Sequence, residues 1–333
     1  MSGARDPQPV SGRRRPAGVA GRRVAVLSGG PGEERAVSLE SGEAVSSALE
    51  AAGLVVRRFV IGESIDPILA ELAAWAEVVF IALHGRYGED GQVQRTLEAA
   101  GLTYTGSGPE ASRAAMCKPE AKILFQAAGV PTPKYEVVRR ELAAGAAASL
   151  REGGLAPPLV VKPSASGSSI GVSLVRTWEA LDAALAEAYA YGDEVLVEKY
   201  VSGRELTVGV LDGEVLPVVE LATSREFFDY QAKYSDGMTR VLCPAPLRPE
   251  LAARAAEAGL RAFKAVGARD FGRVDMILDE AGTPQVLEVN TIPGFTSHSL
   301  LPKAAAAAGI DFEELVSRIV ARALERSRGA RSS

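Results

Sequence analysis

The chain has 333 residues, 47% of them hydrophobic and 24% charged, and a net charge of −5. That is the composition of a globular protein with room for two or three domains, and its acidic balance gives no footprint for nucleic acid. The only cysteines are Cys117 and Cys243 and the only histidines His84 and His298, a pattern that excludes a disulfide framework and a zinc site and fits the reducing cytoplasm. No apolar run reaches the roughly 18 residues of a membrane helix.

Residues 1–22 carry Arg5, Arg13, Arg14, Arg15 and Arg22 among prolines and glycines, without an apolar run. They read as a disordered basic tail and not as a signal peptide. Arg23–Leu27 is a short buried strand, and the turn Ser28–Gly32 follows it. Val37–Ala51 has helical periodicity, Val55–Ile61 reads as a strand, Ile68–Trp75 as a helix and Glu77–Leu83 as a third strand. This alternation predicts a parallel, Rossmann-like α/β domain over 23–108, with ligands at the carboxyl ends of its strands. A helix over Pro109–Ala128 leads to the stiff linker Val130–Pro133. A second unit, closing the span 109–200, has strands at Lys134–Arg139, Leu159–Lys162, Gly171–Val175 and Glu194–Tyr200, with helices at Glu141–Glu152 and Trp178–Tyr191. A third, over 201–328, opens with a hairpin turning at Asp212-Gly213. It carries a polar segment without clear period within 222–240, a helix over Pro249–Val266, a second hairpin, and helices at Pro302–Ala308 and Asp311–Arg326.

The second hairpin, Phe271–Leu300, organises the rest. Arg273 and Asp275 alternate with Val274 and Met276, while Val286, Glu288 and Asn290 alternate with Leu287 and Val289. Side chains two apart on a strand share a face. A turn centred on Ala281-Gly282 sets Asp275 opposite Glu288 and Arg273 opposite Asn290. Facing carboxylates repel unless a cation lies between them, and hard oxygens of this kind suit Mg²⁺. A hairpin with a merely polar outer face has the same alternation. The small, Gly-containing sequel Thr291–Leu300 suits close approach of backbone to a ligand.

Other motifs gather at strand ends. Lys162 followed by the Gly/Ser loop to Gly171 offers backbone N–H groups and a charge to an anion, and Ser168 a free hydroxyl; a plain linker has a similar composition. Glu198 ends one strand and Glu205 opens the next, positions that suit a nucleotide's base and ribose as well as a solvated turn. Glu34 begins a helix after a Gly-rich turn, where a carboxylate favours the helix dipole or anchors a substrate ammonium. His84 opens the turn H-G-R-x-G-E-D-G at a strand's carboxyl end. Lys233 and Tyr234 sit in the polar segment, placed as a lid would place them. Gly29-Gly30 after the first strand raises a dinucleotide-dependent oxidoreductase. The full G-x-G-x-x-G is missing, and Arg57-Arg58 stand where that fold wants an acid.

In this order the motifs resemble the D-alanine–D-alanine ligases of the ATP-grasp family, over Val24 to about Leu324. The resemblance rests on G-G-x-x-x-E-R-x-V-S (Gly29–Ser38), H-G-R-x-G-E-D-G (His84–Gly91), Y-T-G-S-G (Tyr104–Gly108), K-P-x-x-x-G-S-S-x-G (Lys162–Gly171), the Phe227–Tyr234 lid, and the R-x-D…L-E-x-N-T-x-P-G-x-T-S-H-S-L block. It implies an ATP-grasp fold (α+β in that part) behind a Rossmann-like domain, and ATP-dependent joining of two D-alanines through a D-alanyl phosphate for the cell wall. It also implies two Mg²⁺ or Mn²⁺ ions, a homodimer, and no nucleic-acid or membrane partner.

By that resemblance Lys118, Lys162, Gly167, Ser168, Ser169 and Lys233 contact phosphates. Glu198, Lys199 and Val201 hold adenine, Glu205 the ribose, and Phe227 packs on the base. Asp275, Glu288 and Asn290 hold metal. Arg273 and the Gly294 N–H stabilise the oxyanion, Glu34 and His84 serve the first D-alanine, and Ser299 and Leu300 the second. Glu34, Ser168 and Tyr234 form a set tying lid to site, and Tyr234 favours the dipeptide over D-alanyl-D-lactate. A D-lactate or D-serine ligase, or another ATP-grasp carboxylate–amine ligase, is the alternative. Cys117, where an acid is common, Gly32, where serine is frequent, and the basic tail depart from the pattern.

Overall fold

A computed structural model describes residues 19–167, 170–223 and 239–331. The chain runs β1 (Arg23–Gly29), α1 (Arg35–Ala51), β2 (Val55–Ile61), α2 (Leu69–Trp75), β3 (Val78–Ile81) and α3 (Gln92–Ala99). Then come α4 (Pro109–Met116), α5 (Lys118–Ala127), β4 (Tyr135–Arg139), α6 (Ala146–Glu152), β5 (Leu159–Pro163), β6 (Ser173–Val175), α7 (Leu181–Ala188) and β7 (Glu194–Lys199). Last are β8 (Gly203–Leu211), β9 (Glu214–Val215), β10 (Val219–Thr223), β11 (Thr239–Leu242), α8 (Pro249–Ala265), β12 (Phe271–Asp279), β13 (Pro284–Asn290), α9 (Leu300–Ala307) and α10 (Phe312–Arg331).

The first sheet is parallel in the order β2-β1-β3. Both its faces are covered, which is why β1 and β3 read as unbroken apolar runs. Val24, Val26, Val78 and Phe80 pack with Val45 and Leu49 of α1 and with Leu315, Ile319 and Val320 of α10. Ala25, Leu27, Val79 and Ile81 face Leu72, Val93 and Leu97 on the other side. The terminal helix thus returns to the first sheet. Arg326 donates to the Asp270 carboxylate and to the Tyr104 carbonyl (2.6 Å), and the Gly106 N–H donates to Asp270 Oδ2 (3.1 Å). That junction fixes the entry to β12.

The other two sheets are antiparallel, in the orders β4-β7-β5-β6 and β11-β10-β8-β12-β13, with β9 on β8. Helices α6 and α7 cover the former through Leu150, Leu181 and Leu185. Helices α5 and α8 cover the latter through Phe125, Ala255 and Phe263 against Leu206, Val208, Val274 and Met276. Each of the leucine, valine, methionine and phenylalanine side chains, taken fully from water, contributes roughly 1.5–3 kcal/mol.

Three departures from the sequence reading have local causes. The single helix expected over Pro109–Ala128 is two, broken at Cys117 (ψ 95°). Pro119 lacks an N–H and is tolerated only in a helix's first turn, so a new helix starts at Lys118. The amide of Lys118 instead donates to Ser164 O (2.9 Å). Helix α3 is additional; its Val93 and Leu97, four apart, are buried. The third difference is a bulge in the β12–β13 hairpin. Asp279 and Thr283 close a turn centred on Ala281, a register that alone would set Asp275 opposite Leu287. One extra residue on β13 between Val286 and Glu288 restores Asp275 opposite Glu288 and Arg273 opposite Asn290, as expected. The bulge also sends both Val286 and Val289 into the core, so Val286 does not share a face with Glu288.

Candidate active site

The carboxyl end of the first sheet forms one wall. Ser38, in the first turn of α1, accepts the Gly29 N–H (2.9 Å) and donates to Ala82 O (2.6 Å), linking the ends of β1 and β3. Arg35 donates to Gly30 O (3.0 Å) and Ile61 O (2.7 Å). Their neighbour Glu34 is thereby held at the start of α1. Its carboxylate fills space that only glycines leave: a Cβ on Gly85 would lie 2.2 Å, and one on Gly167 3.1 Å, from Glu34 Oε2. Gly167, in the Gly/Ser loop after β5, and Glu34 are therefore neighbours. Ser168 and Ser169, and the lid residues Phe227, Lys233 and Tyr234, lie outside the described residues.

Beside Glu34 is a carboxyl that the sequence reading left without a role. Glu89 Oε2 accepts the Gly85 N–H (2.9 Å), while Oε1 is buried without a hydrogen-bond partner among the described residues. Burial, and next the Glu34 charge, push the Glu89 carboxyl well above the usual range.

His84 is buried, and both ring nitrogens meet protein. Nδ1 lies 3.0 Å from Ile292 O, and Nε2 lies 2.9 Å from Ser41 Oγ. A carbonyl only accepts, so Nδ1 carries a proton, and in the neutral ring Nε2 then accepts from the Ser41 hydroxyl. Ser41 Oγ in turn accepts the Phe295 N–H (3.2 Å). This arrangement makes His84 a strut for the 291–299 loop; the sequence reading set it beside the substrate, and it also missed Ser41. The Phe295 ring is fully buried, with centroids 5.3 Å from Phe80 and 5.5 Å from Phe271, edge-on to both. Each aromatic pair adds about 0.5–1.5 kcal/mol beyond burial.

The same loop brings Gly294 against Ser299; a Cβ at 294 would lie 2.6 Å from Ser299 Oγ. Ser299 Oγ accepts the Thr296 N–H (3.0 Å), and the residue occupies the cap position before α9, whose first residue is Leu300. Free N–H groups at such a helix start favour an anion.

The opposite wall is the β12–β13 hairpin. Arg273 is buried and grips Asp275 with Nε–Oδ1 at 2.8 Å and Nη2–Oδ2 at 2.7 Å, and the Thr207 hydroxyl donates to Oδ1 (2.5 Å). Burial opposes the Arg273 charge, but Asp275 and Glu288 outweigh it and raise its pKa. Asn290 Oδ1 accepts the Ile292 N–H (3.2 Å). Asp275, Glu288 and Asn290 thus share one surface, two carboxylates and an amide oxygen, a hard donor set of the kind Mg²⁺ takes. Lys118 Nζ sits 3.7 Å from Glu288 Oε2 and donates to Ser166 O, so it bridges this wall to the Gly/Ser loop after β5. Burial lowers its pKa, against the pull of Glu288.

At the far end, Lys162 Nζ lies 2.5 Å from Glu198 Oε2 and Lys122 pairs with Oε1. Burial would raise the Glu198 pKa; Lys122 and Lys162 outweigh it and hold the carboxyl below its ordinary range. Lys122, four residues after Lys118 on α5, was not among the expected site residues; that i,i+4 spacing is the signal that could have found it. Lys199 is exposed, Val201 half-buried in the β7–β8 connection, and Glu205 on β8 pairs with Ile277.

Two facing antiparallel sheets with buried lysines between them, joined to a Rossmann-like wall, define an ATP-grasp fold, and solved structures agree. The chain superposes on the D-alanine–D-alanine ligase of Bacillus anthracis with a TM-score of 0.83 at 36% identity, covering 93% of this chain and 99% of that one. The ATP complex of the B. anthracis enzyme gives 0.81 at 32% identity, covering 93% and 99%. Family models described as D-ala D-ala ligase C-terminus and N-terminus match residues 124–321 and 63–107. The D-alanine–D-alanine ligase of Geotalea uraniireducens is 45% identical over 302 residues, 91% of this chain and 96% of the relative. The chain belongs to the D-alanine–D-alanine ligase family.

Proposed function

We propose that this protein joins two D-alanines to D-alanyl-D-alanine with ATP, releasing ADP and phosphate, for peptidoglycan synthesis in the cytoplasm, as a homodimer. The observation that carries the reading is the register of β12 and β13. It sets Asp275 opposite Glu288 with Arg273 alongside, on the same cleft as Lys118, Glu34 and the loop around Gly294. No helix among the described residues is long and apolar enough to cross a membrane.

In this reading ATP lies between the two antiparallel sheets, its phosphates toward Lys118, Lys162 and the 166–169 loop and its base toward Glu198, Lys199 and Val201. Glu205 takes the ribose, and Phe227 and Lys233 come in with the lid. Asp275, Glu288 and Asn290 would hold two Mg²⁺ or Mn²⁺ ions, which supply positive charge against the phosphates when bound. The carboxylate of the first D-alanine attacks the γ-phosphorus, ADP leaves, and an acyl phosphate results. Glu34 anchors that substrate's ammonium. The amine of the second D-alanine attacks the acyl carbon and loses a proton, and phosphate leaves. Asp275 occupies Nε and Nη2 of Arg273, so its guanidinium is fixed in orientation while Nη1 can donate. With the Gly294 N–H it stabilises the tetrahedral oxyanion, a role worth about 3–4 kcal/mol per donor. Ser299 and the Leu300 N–H receive the second carboxylate. Closure over Glu34, Ser168 and Tyr234 keeps water from the acyl phosphate. Mass spectrometry of a reaction with ATP, Mg²⁺ and D-alanine should show the dipeptide; hydrolysis of ATP without dipeptide contradicts the proposal.

A further inference from the structure

We propose that Lys122 is a positioning residue that holds Glu198 and Lys162, on the central sheet, in fixed register with β13, the strand that carries Glu288 and Asn290. The Lys122 side chain has 0% exposure. A residue wanted only for packing there would be apolar, because a buried ammonium loses its hydration and must be repaid by partners. Its partners lie on three elements. Nζ pairs with Glu198 Oε1 on β7 and donates to Thr132 Oγ1 (2.6 Å) in the linker, and it lies 5.3 Å from the centre of the Tyr135 ring on β4.

Thr132 passes the connection on. Its hydroxyl donates to Val286 O (2.7 Å), and the Val286 N–H donates to Pro131 O (2.8 Å). The linker thereby pairs with β13 next to the bulge, two residues before Glu288. From the other oxygen of Glu198 the chain of contacts reaches Lys162 at 2.5 Å. One unbroken polar path, Lys162–Glu198–Lys122–Thr132–Val286, therefore spans the cleft between the two antiparallel sheets. Burial lowers the Lys122 pKa to about 8, with Glu198 opposing; this agrees with an ammonium retained for its contacts. Removing Lys122 leaves Glu198 with Lys162 as its ion-pair partner among the described residues and frees the central sheet to shift against β13.

The inference rests on the nucleotide reading of this cleft, and the test separates the two. ADP binding in the presence of Mg²⁺ is measured by calorimetry on the full chain, for the unaltered protein, Lys122→Met and Thr132→Val, each checked for a cooperative melt. Lys122→Met should weaken ADP binding about tenfold or more, and Thr132→Val, which spares Glu198, about threefold. In turnover assays both should raise the KM for ATP and leave that for D-alanine within about twofold. If Lys122→Met does not fold, Thr132→Val decides. No ADP binding by the unaltered protein overturns the nucleotide reading itself. Binding by folded variants within about twofold of the unaltered protein overturns only the role given to Lys122.

Discussion

Ser41 Oγ lies 2.9 Å from His84 Nε2, and this contact joins the first sheet to the loop that presents Gly294. Ser41→Ala removes both the donor to His84 and the acceptor for the Phe295 N–H. A buried N–H left unpaired costs about 1–3 kcal/mol. Urea unfolding should show that loss, and turnover should fall with a raised KM for D-alanine, while ADP binding stays as it was. Loss of ADP binding would contradict the assignment of this network to the amino-acid end of the cleft.

Gly294→Ala tests the same loop from inside the site. The new Cβ would lie 2.6 Å from Ser299 Oγ, so loop or serine must move. Because the backbone N–H survives but is displaced, kcat should fall about tenfold or more with little change in melting temperature. Unchanged kcat would remove Gly294 from the oxyanion role.

Asp275 and Glu288 should behave alike in activity and differently in stability. Asp275→Ala leaves Arg273 buried without its bidentate partner, which costs about 3–5 kcal/mol. The Glu288 side chain is 36% exposed and its Lys118 contact is 3.7 Å, so Glu288→Ala should change stability by less than about 1 kcal/mol. Both variants should lose D-alanine-dependent ADP release. An active Glu288→Ala would refute the metal assignment.

Glu198 predicts a pH effect. Its folded pKa lies below the ordinary 4.5, so the unfolded chain takes up its proton first as pH falls. The stability it contributes is full above about pH 4.5 and is lost as pH drops through the lower folded value. Unfolding midpoints of the wild type should therefore fall in that window more steeply than those of Glu198→Gln. Parallel curves would mean that Glu198 titrates normally.

The sequence carried much of this. Alternation at Arg273, Asp275, Glu288 and Asn290 gave the register of the hairpin, because sheet faces have a strict period of two. The bulge that moves Val286 to the core was not readable: two compensating offsets, a turn centred on Ala281 and one extra residue, leave the same facing pairs. Lys122, Glu89 and Ser41 were missed for a shared reason. Each acts through tertiary partners distant in sequence or through burial; of the three only Lys122 leaves a local trace, its i,i+4 spacing from Lys118 on α5. The break before α5 and helix α3 were also missed, although Pro119 and the i,i+4 pair Val93 and Leu97 are local signals that could have marked them.

The central claim is met most directly by following ADP release from ATP and Mg²⁺ with D-alanine, D-alanine plus D-lactate, D-alanine plus D-serine, and L-alanine. The account predicts release with D-alanine alone, matched by D-alanyl-D-alanine, and no further product from D-lactate, as Tyr234 implies by family resemblance. No release with D-alanine alone, or release equally well with L-alanine, would contradict it.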